Sequence, residues 1–255
     1  MTSITHMKSI DTLRDLRVFK LDRRRILVIS CDSAGGIGPK PFDSIKVSGG
    51  VVGKFTARVA LMEAMAVGAL PLCIAVALSV EPKPTGTQIL NGVRSELRRA
   101  SLPLPITLQS TEKNFAAKQT GLGITVLGIA SPRSLRMKKC ERGDAVMAIG
   151  TPQVGKGVVP GERNKSISDT GDVRRLLKIR FVHEILPVGS QGILHEAQIL
   201  AEESGLKLSP RSDLSLDVLK SAGPATVTLC AIPPSRSALL RRAIGKHVQT
   251  IGMLC

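Results

Sequence analysis

The short apolar run from Ile26 to Cys31 stops against Asp32-Ser33-Ala34-Gly35-Gly36-Ile37-Gly38. A run of this length, bounded by turn residues, reads as a buried strand. The glycines after it let backbone come close to a ligand. A second break, Ser48-Gly49-Gly50, predicts a helix from about Val52 to Val67 that stops at Gly68. The pattern continues with strands at Leu72–Val80, Ile106–Leu108, Gly123–Ala130 and Ala145–Ile149, and an amphipathic helix over Thr85–Ala100. A glycine- and proline-rich loop is expected to about Asn164. After it come helices at Asp172–Ile179, Gly192–Glu203 and Leu214–Lys220, a strand at Ala225–Ile232 and a basic helix at Ser235–Val248. Strands and helices mixed throughout make the class α+β or α/β. Residues 1–22 read as a mobile or edge segment with a short amphipathic stretch, and the basic residues 131–141 as a connection between two lobes.

Charge and composition narrow the partners. The most apolar stretch, Ala64 to Val80, is broken by Gly68 and Pro71, so no membrane span is expected. Asp11, Arg14, Asp15 and Arg17 among the first residues argue against a leader, and the expected location is cytoplasmic. The five cysteines form no CxxC pair, which argues against a zinc site or disulfide framework. The net charge of +16 is spread over pairs such as Arg98-Arg99, Arg174-Arg175 and Arg241-Arg242. It fits steering of a polyanion such as ATP. Dispersed clusters, with no Trp or Tyr to stack on bases, make nucleic acid an unlikely partner.

Three carboxylates stand out. Asp32 follows the first strand, where α/β proteins place ligands, although Asp beside Ser and Gly is also ordinary turn chemistry. Glu63 has Val59, Ala60, Ala66 and Val67 at helical spacing, so no cation on its own helix pairs with it. An off-helix cation or a metal must satisfy it. Glu112 follows a strand in Gln109-Ser110-Thr111-Glu112-Lys113-Asn114. Together Asp32, Glu63 and Glu112 are candidate Mg²⁺ ligands and catalytic residues, since Mg²⁺ takes oxygen ligands and bridges phosphates. Lys40 and Lys54 follow the two glycine turns and are placed to meet phosphates; solvated lysine at a helix start is the alternative. There is no P-loop and no GxGxxG opening a helix.

Read jointly, these segments resemble the aminoimidazole ribonucleotide synthetase-like (PurM-like) superfamily. Cys31-Asp32-Ser33 is similar to the strand-end "TDS" of its hydrogenase-maturation carbamoyl dehydratase. Gly49-Gly50-Val51-Val52-Gly53-Lys54 is similar to that branch's "GGxxGK". The stretch Ala57 through Leu72 resembles the "VNDLxxxGAxPL" helix, with Met62-Glu63 in place of Asn-Asp. Ser110-Thr111-Glu112 is similar to the "GGET" turn, and Gly143-Asp144 to a "GD" turn. The acid of the family's "RDPTRGGL" falls near Pro187 and is lost. Pro187–Gly192 and Ser221–Thr226 look most like the α-ribazole kinase branch; thiamine monophosphate kinase is another relative in appearance.

The resemblance implies an N-terminal half-barrel ATP-binding domain over residues 23–135, a C-terminal α+β domain over 136–255, and a homodimer. It implies Mg²⁺ and ATP as cofactors, with Ser33, Gly35, Gly36, Gly38, Lys40, Gly50, Gly53, Lys54 and Thr111 around the nucleotide. Ser190, Gln191, Gly192, Ser221, Ala222 and Gly223 would meet a small-molecule substrate. The expected activity is phosphorylation of α-ribazole in cobalamin lower-ligand salvage. The alternatives are ATP-driven activation of an amide or carboxylate oxygen, and nucleotide binding without turnover.

Overall fold

The N-terminal segment is a hairpin. Strands β1 (Lys8–Ile10) and β2 (Leu16–Lys20) pair antiparallel, and β2 buries Leu16 and Val18 while Arg17 points outward, a two-residue alternation. The computed structural model describes residues 8–102 and 106–255. They form two compact units that divide between Leu135 and Arg136.

In the first unit β2 pairs with β3 (Ile26–Gly35), which extends beyond the expected run because its ladder with a later strand continues to Gly35. Asp32 and Ser33 therefore lie within a strand, not after it. Two short strands, β4 (Ile37–Gly38) and β5 (Ile45–Lys46), pair parallel, and Ser48 then caps helix α1 (Gly49–Ala66). Gly49 and Gly50 are the first turn of that helix rather than a break before it. Strand β6 (Leu70–Leu78), helix α2 (Thr87–Arg99), β7 (Ile106–Thr111) and β8 (Gly121–Ala130) complete the unit. The six strands run in the order β1-β2-β3-β8-β6-β7.

Both helices lie on one face of this sheet. Val28, Ile74, Val76, Ile124 and Val126 are buried beneath them with Leu61, Met62, Ile89, Val93 and Leu97. The Ser30 hydroxyl donates to the Ala60 carbonyl at 2.7 Å, fixing α1 against β3. Arg58 and Glu96 join α1 to α2 by two hydrogen bonds of 3.1 and 2.9 Å, with both side chains wholly buried. The Arg58 guanidinium also lies 4.6 Å from the Phe55 ring centre.

The second unit holds β9 (Ala145–Ile149), α3 (Val158–Arg163), α4 (Thr170–Lys178), β10 (Glu184–Pro187), α5 (Gly192–Glu203), β11 (Leu208–Pro210), β12 (Thr228–Ile232), α6 (Ser237–Ile244) and β13 (Val248–Leu254). Its sheet runs β10-β12-β9-β13-β11. Val146 and Ala148 of β9 pack with Ile193, Ala197 and Leu200 of α5, whereas Met147 meets Ser237 on the α6 side.

Three expectations fail here for definable reasons. The loop to Asn164 contains α3. Residues 214–220 are not helical: Leu214, Leu216 and Val218 alternate toward the core, and the Asp217 carboxylate accepts from the Leu219 and Lys220 amides. The basic C-terminal helix stops at Ile244 because Gly245 takes a left-handed conformation at φ 66°, which frees Val248–Leu254 to become a strand.

Candidate functional site

The end of the first unit's sheet, where β3, β6 and β7 finish and β8 begins, gathers most of the polar chemistry. The glycine-rich turn after β3 is held there by Asp43. Its buried carboxylate accepts from the Lys40 amide, the Thr120 amide and the Thr120 hydroxyl, each at 2.7 Å. Burial alone would raise the Asp43 pKa, but these hydrogen bonds outweigh it and hold the carboxyl low. Gly38 is required: it sits at φ 151°, and a Cβ there would be 2.3 Å from Thr120 Oγ1. Gly36, at φ 68°, receives the Ser44 amide on its carbonyl at 2.7 Å.

Lys40 points into this cluster, but its ammonium is engaged by Glu81, just beyond β6. Glu81 also accepts from the Thr85 hydroxyl at 2.5 Å. Sequence reading missed Glu81 and Asp43; Glu-Pro after an apolar strand carries no motif. Burial pushes the Glu81 pKa up, and the bonds from Lys40 and Thr85 more than reverse this, to about 2. A carboxyl whose pKa is lowered on folding stabilises above its unfolded value of 4.5 and loses that stabilisation as pH falls toward 2. Glu81→Gln is therefore expected to flatten the acid limb of stability between those pH values, measured by urea midpoints. An unchanged limb would contradict the pairing.

Asp32 is half-buried on the helix-facing side of β3, opposite Ile124. Desolvation raises its pKa to about 6, the amide of Ser33 opposes this, and nearby Asp15 adds to the rise. No cation among the described residues is recorded beside it. A carboxylate held in this state is a candidate for ligand or metal contact. Neighbouring Ser33 is exposed on the opposite face, and Gly35 has open space where a side chain would stand.

The three acids do not converge within one chain. From β3 to β7 is three strand spacings, and Asp32 lies level with Gln109, so about 14 Å of sheet separates it from the Glu112 segment. Helix α1 runs antiparallel to β3. Asp32 and Glu63 lie on opposite sides of the Ser30–Ala60 contact, about 11 Å apart along the helix. Glu63 is half-buried and already has an interaction partner. Among the described residues no group of three His, Cys, Asp or Glu side chains is gathered as a metal site. Glu112 closes its own turn: one oxygen accepts from the Asn114 and Phe115 amides at 2.6 and 3.2 Å, which lowers its pKa. Glu112 lines an open polar depression with Gln109, Ser110, Thr111, Lys113 and Asn114.

The "GGxxGK" glycines serve packing. A Cβ on Gly53 would stand 2.1 Å from the Ile89 carbonyl, and one on Gly92 would stand 2.1 Å from the Gly50 carbonyl, so α1 and α2 touch backbone to backbone. Gly53→Val is expected to cost at least about 1–3 kcal/mol as the helices are driven apart. A wild-type denaturation midpoint would contradict that contact. Lys54 is half-buried on α1, with its ammonium 5.8 Å from the Phe55 ring centre.

In the second unit the two expected substrate segments do meet. The Ala222 amide donates to the Gly189 carbonyl at 3.1 Å, and the Gly223 amide to the Ser221 hydroxyl at 3.3 Å. Ser190 and Gln191 are exposed ahead of α5, whose first residue, Gly192, has φ 87° and lies against the Val218 and Leu219 carbonyls. Pro187, at the position of the lost acid, is buried in β10 opposite Thr228. The nearby Glu184 is buried and accepts from the amides of Lys138, Lys139 and Cys140, while Asp144 pairs with His183 at 2.8 Å.

No family model matches the sequence, and no curated protein matches it. Solved structures do. Hydrogenase maturation protein HypE in complex with ATP superposes with TM-score 0.66 at 18% identity, covering 95% of this chain and 80% of that one. The thiamine-monophosphate kinase of Stenotrophomonas maltophilia K279a gives 0.63 at 14%, covering 97% and 88%. T. maritima PurL complexed with ADP gives 0.68 at 13%, covering 98% of this chain and 43% of PurL. The architecture is PurM-like. No helix among the described residues is long and apolar enough to cross a membrane.

Proposed function

We propose that the chain is a Mg-ATP-dependent kinase of a small nucleoside-like substrate, with α-ribazole as the specific acceptor. The observation that carries the reading is Asp32: a carboxylate pushed to about 6 on the strand that leads into a glycine turn, in a fold also found in HypE in complex with ATP and in a thiamine-monophosphate kinase. ATP would lie over the sheet end formed by Ser33, Gly35, Gly36, Gly38 and Thr111. Lys40, released from Glu81, and Lys54 would neutralise phosphate charge. Mg²⁺ bound through phosphates needs only one or two protein carboxylates, so Asp32 fits it without a three-acid cage, whereas Glu112, about 14 Å of sheet away in the same chain, would not reach that ion. The ion would neutralise developing phosphate charge. Ser190, Gln191 and the Ser221–Gly223 turn would orient the acceptor hydroxyl, and catalysis would rest on position and electrostatics.

The face of the six-stranded sheet away from α1 and α2 supports the homodimer. Leu70, Leu72 and Leu108 are 53, 49 and 67% exposed there, and Ile29, Leu127 and Ile129 lie on the same face half-covered. A second copy would bury this apolar surface. Light scattering is expected to give twice the 27.1 kDa chain mass; a monomer at micromolar concentration would contradict it.

The test of function is incubation with Mg-ATP and α-ribazole, read by mass spectrometry. A Mg-dependent phosphate adduct supports the kinase. Free phosphate with a cyclised or dehydrated product points to the activation chemistry of the other PurM-like enzymes. Nucleotide binding without turnover across a metabolite panel points to a non-catalytic protein.

A further inference from the structure

Arginine pairs that are far apart in sequence lie on neighbouring helices of the second unit, α4 and α6. Lys246, just after α6, donates to Asp169 and Asp172 at the start of α4, at 3.1 and 2.5 Å. Arg236, just before α6, lies 6.0 Å from the ring centre of Phe181, just after α4. The start of one helix is thus beside the end of the other at both ends, so α4 and α6 lie side by side and antiparallel. Each buries one edge, Val173 and Leu176 on α4 and Leu240 and Ile244 on α6.

Their outer surface is cationic. Between residues 170 and 183 the acid present is Asp172, and between 234 and 247 there is none. Asp172 is consumed by Lys246 and by Arg175 at 2.8 Å. Arg174, Lys178, Arg180, Arg236, Arg241 and Arg242 remain, exposed except for half-buried Arg174, and none has an acidic partner among the described residues. Arg241 bonds only neutral oxygens, the Val248 carbonyl and the Thr250 hydroxyl.

We propose that this face binds the phosphate backbone of double-stranded nucleic acid without sequence preference, which runs against the expectation from sequence. Five of the six cations are arginine, whose planar fork pairs phosphate oxygens two at a time. Arg174 and Lys178 stand four residues apart on α4 and so share one side of it, Arg241 and Arg242 lie on α6, and Arg180 and Arg236 flank the two helices. A protein partner would need an apolar centre as well as charge, and an anionic membrane would need inserted apolar side chains. The exposed large apolar residue on these helices is Leu239 alone. Phosphate binding needs charge only. With Phe181 half-buried beside Arg236, the face offers no stacking platform for single-stranded bases.

The test uses the full chain and labelled random-sequence DNA and RNA duplexes of about 20 base pairs, followed by fluorescence anisotropy. Six phosphate contacts predict affinity falling by about 10³-fold between about 50 and 200 mM salt. The double variant Arg174→Glu/Arg242→Glu is expected to weaken binding at low salt by at least about tenfold and to flatten the salt slope by about two. Arg98→Glu and Lys207→Glu, exposed on other elements, should leave both unchanged, with circular dichroism melts confirming folded variants. Three results would overturn the proposal: no duplex binding at low salt, binding indifferent to the double variant, or binding of poly-glutamate or anionic vesicles but not of duplex. The test is independent of kinase activity.

Discussion

Asp32→Asn is expected to make the protein more stable and inactive at once. The carboxyl has its pKa raised on folding from 3.8 to about 6. The folded state therefore holds the proton more tightly than the unfolded chain does. Stability falls as pH rises from 3.8 toward 6, and the full penalty remains above 6. At neutral pH an amide removes that penalty, worth about 1–3 kcal/mol. Below pH 4 the gain should vanish, since both side chains are then neutral. If Asp32 contacts the metal or phosphates, the same change lowers kcat/KM by at least about 100-fold. Gain of stability with loss of turnover is the signature of a strained functional group. Loss of both would mean that Asp32 is structural.

The second large effect is on folding. Glu96→Ala is expected to destabilise the protein by about 3–5 kcal/mol, because Arg58 would keep its charge in a wholly buried place. The two side chains are fully enclosed between α1 and α2 and share two hydrogen bonds. The paired replacement Arg58→Met/Glu96→Leu should recover most of the loss, since it leaves neither charge stranded. Urea denaturation of the single and double variants reads both. A single variant within about 0.5 kcal/mol of wild type would contradict the buried pair.

Periodicity and turn residues made much of the fold legible in the sequence. Ala145–Ile149 is β9 and Gly192–Glu203 is α5 as expected, because a wholly apolar pentad and a helix bounded by glycine at both sides leave little choice. The resemblance to PurM-like proteins rested on the order of weak segments, and solved structures share that architecture. Other features needed tertiary contacts. Leu214–Lys220 fits either period until Asp217 and Gln249 bind its amides. Gly53 reads as a phosphate-loop glycine until Ile89 is seen against it. The site was legible in part. Asp32 and the glycine turn are distinctive, but Glu81 and Asp43 enter through contacts with Lys40 and Thr120, and spacing encodes neither. Nor does sequence spacing say that Asp32 on β3 and Glu112 after β7 are three strand spacings apart, or that Asp32 and Glu63 lie in opposite directions along α1 from the Ser30–Ala60 contact.

Calorimetric titration of the full chain with Mg-ATP, wild type beside Asp32→Asn, tests the central claim most directly. The account predicts saturable, Mg-dependent binding by the wild type and its loss in a variant that melts at a higher temperature. Wild-type protein that binds no nucleotide, or a variant that binds it equally well, would contradict the assignment of this sheet end as an ATP site.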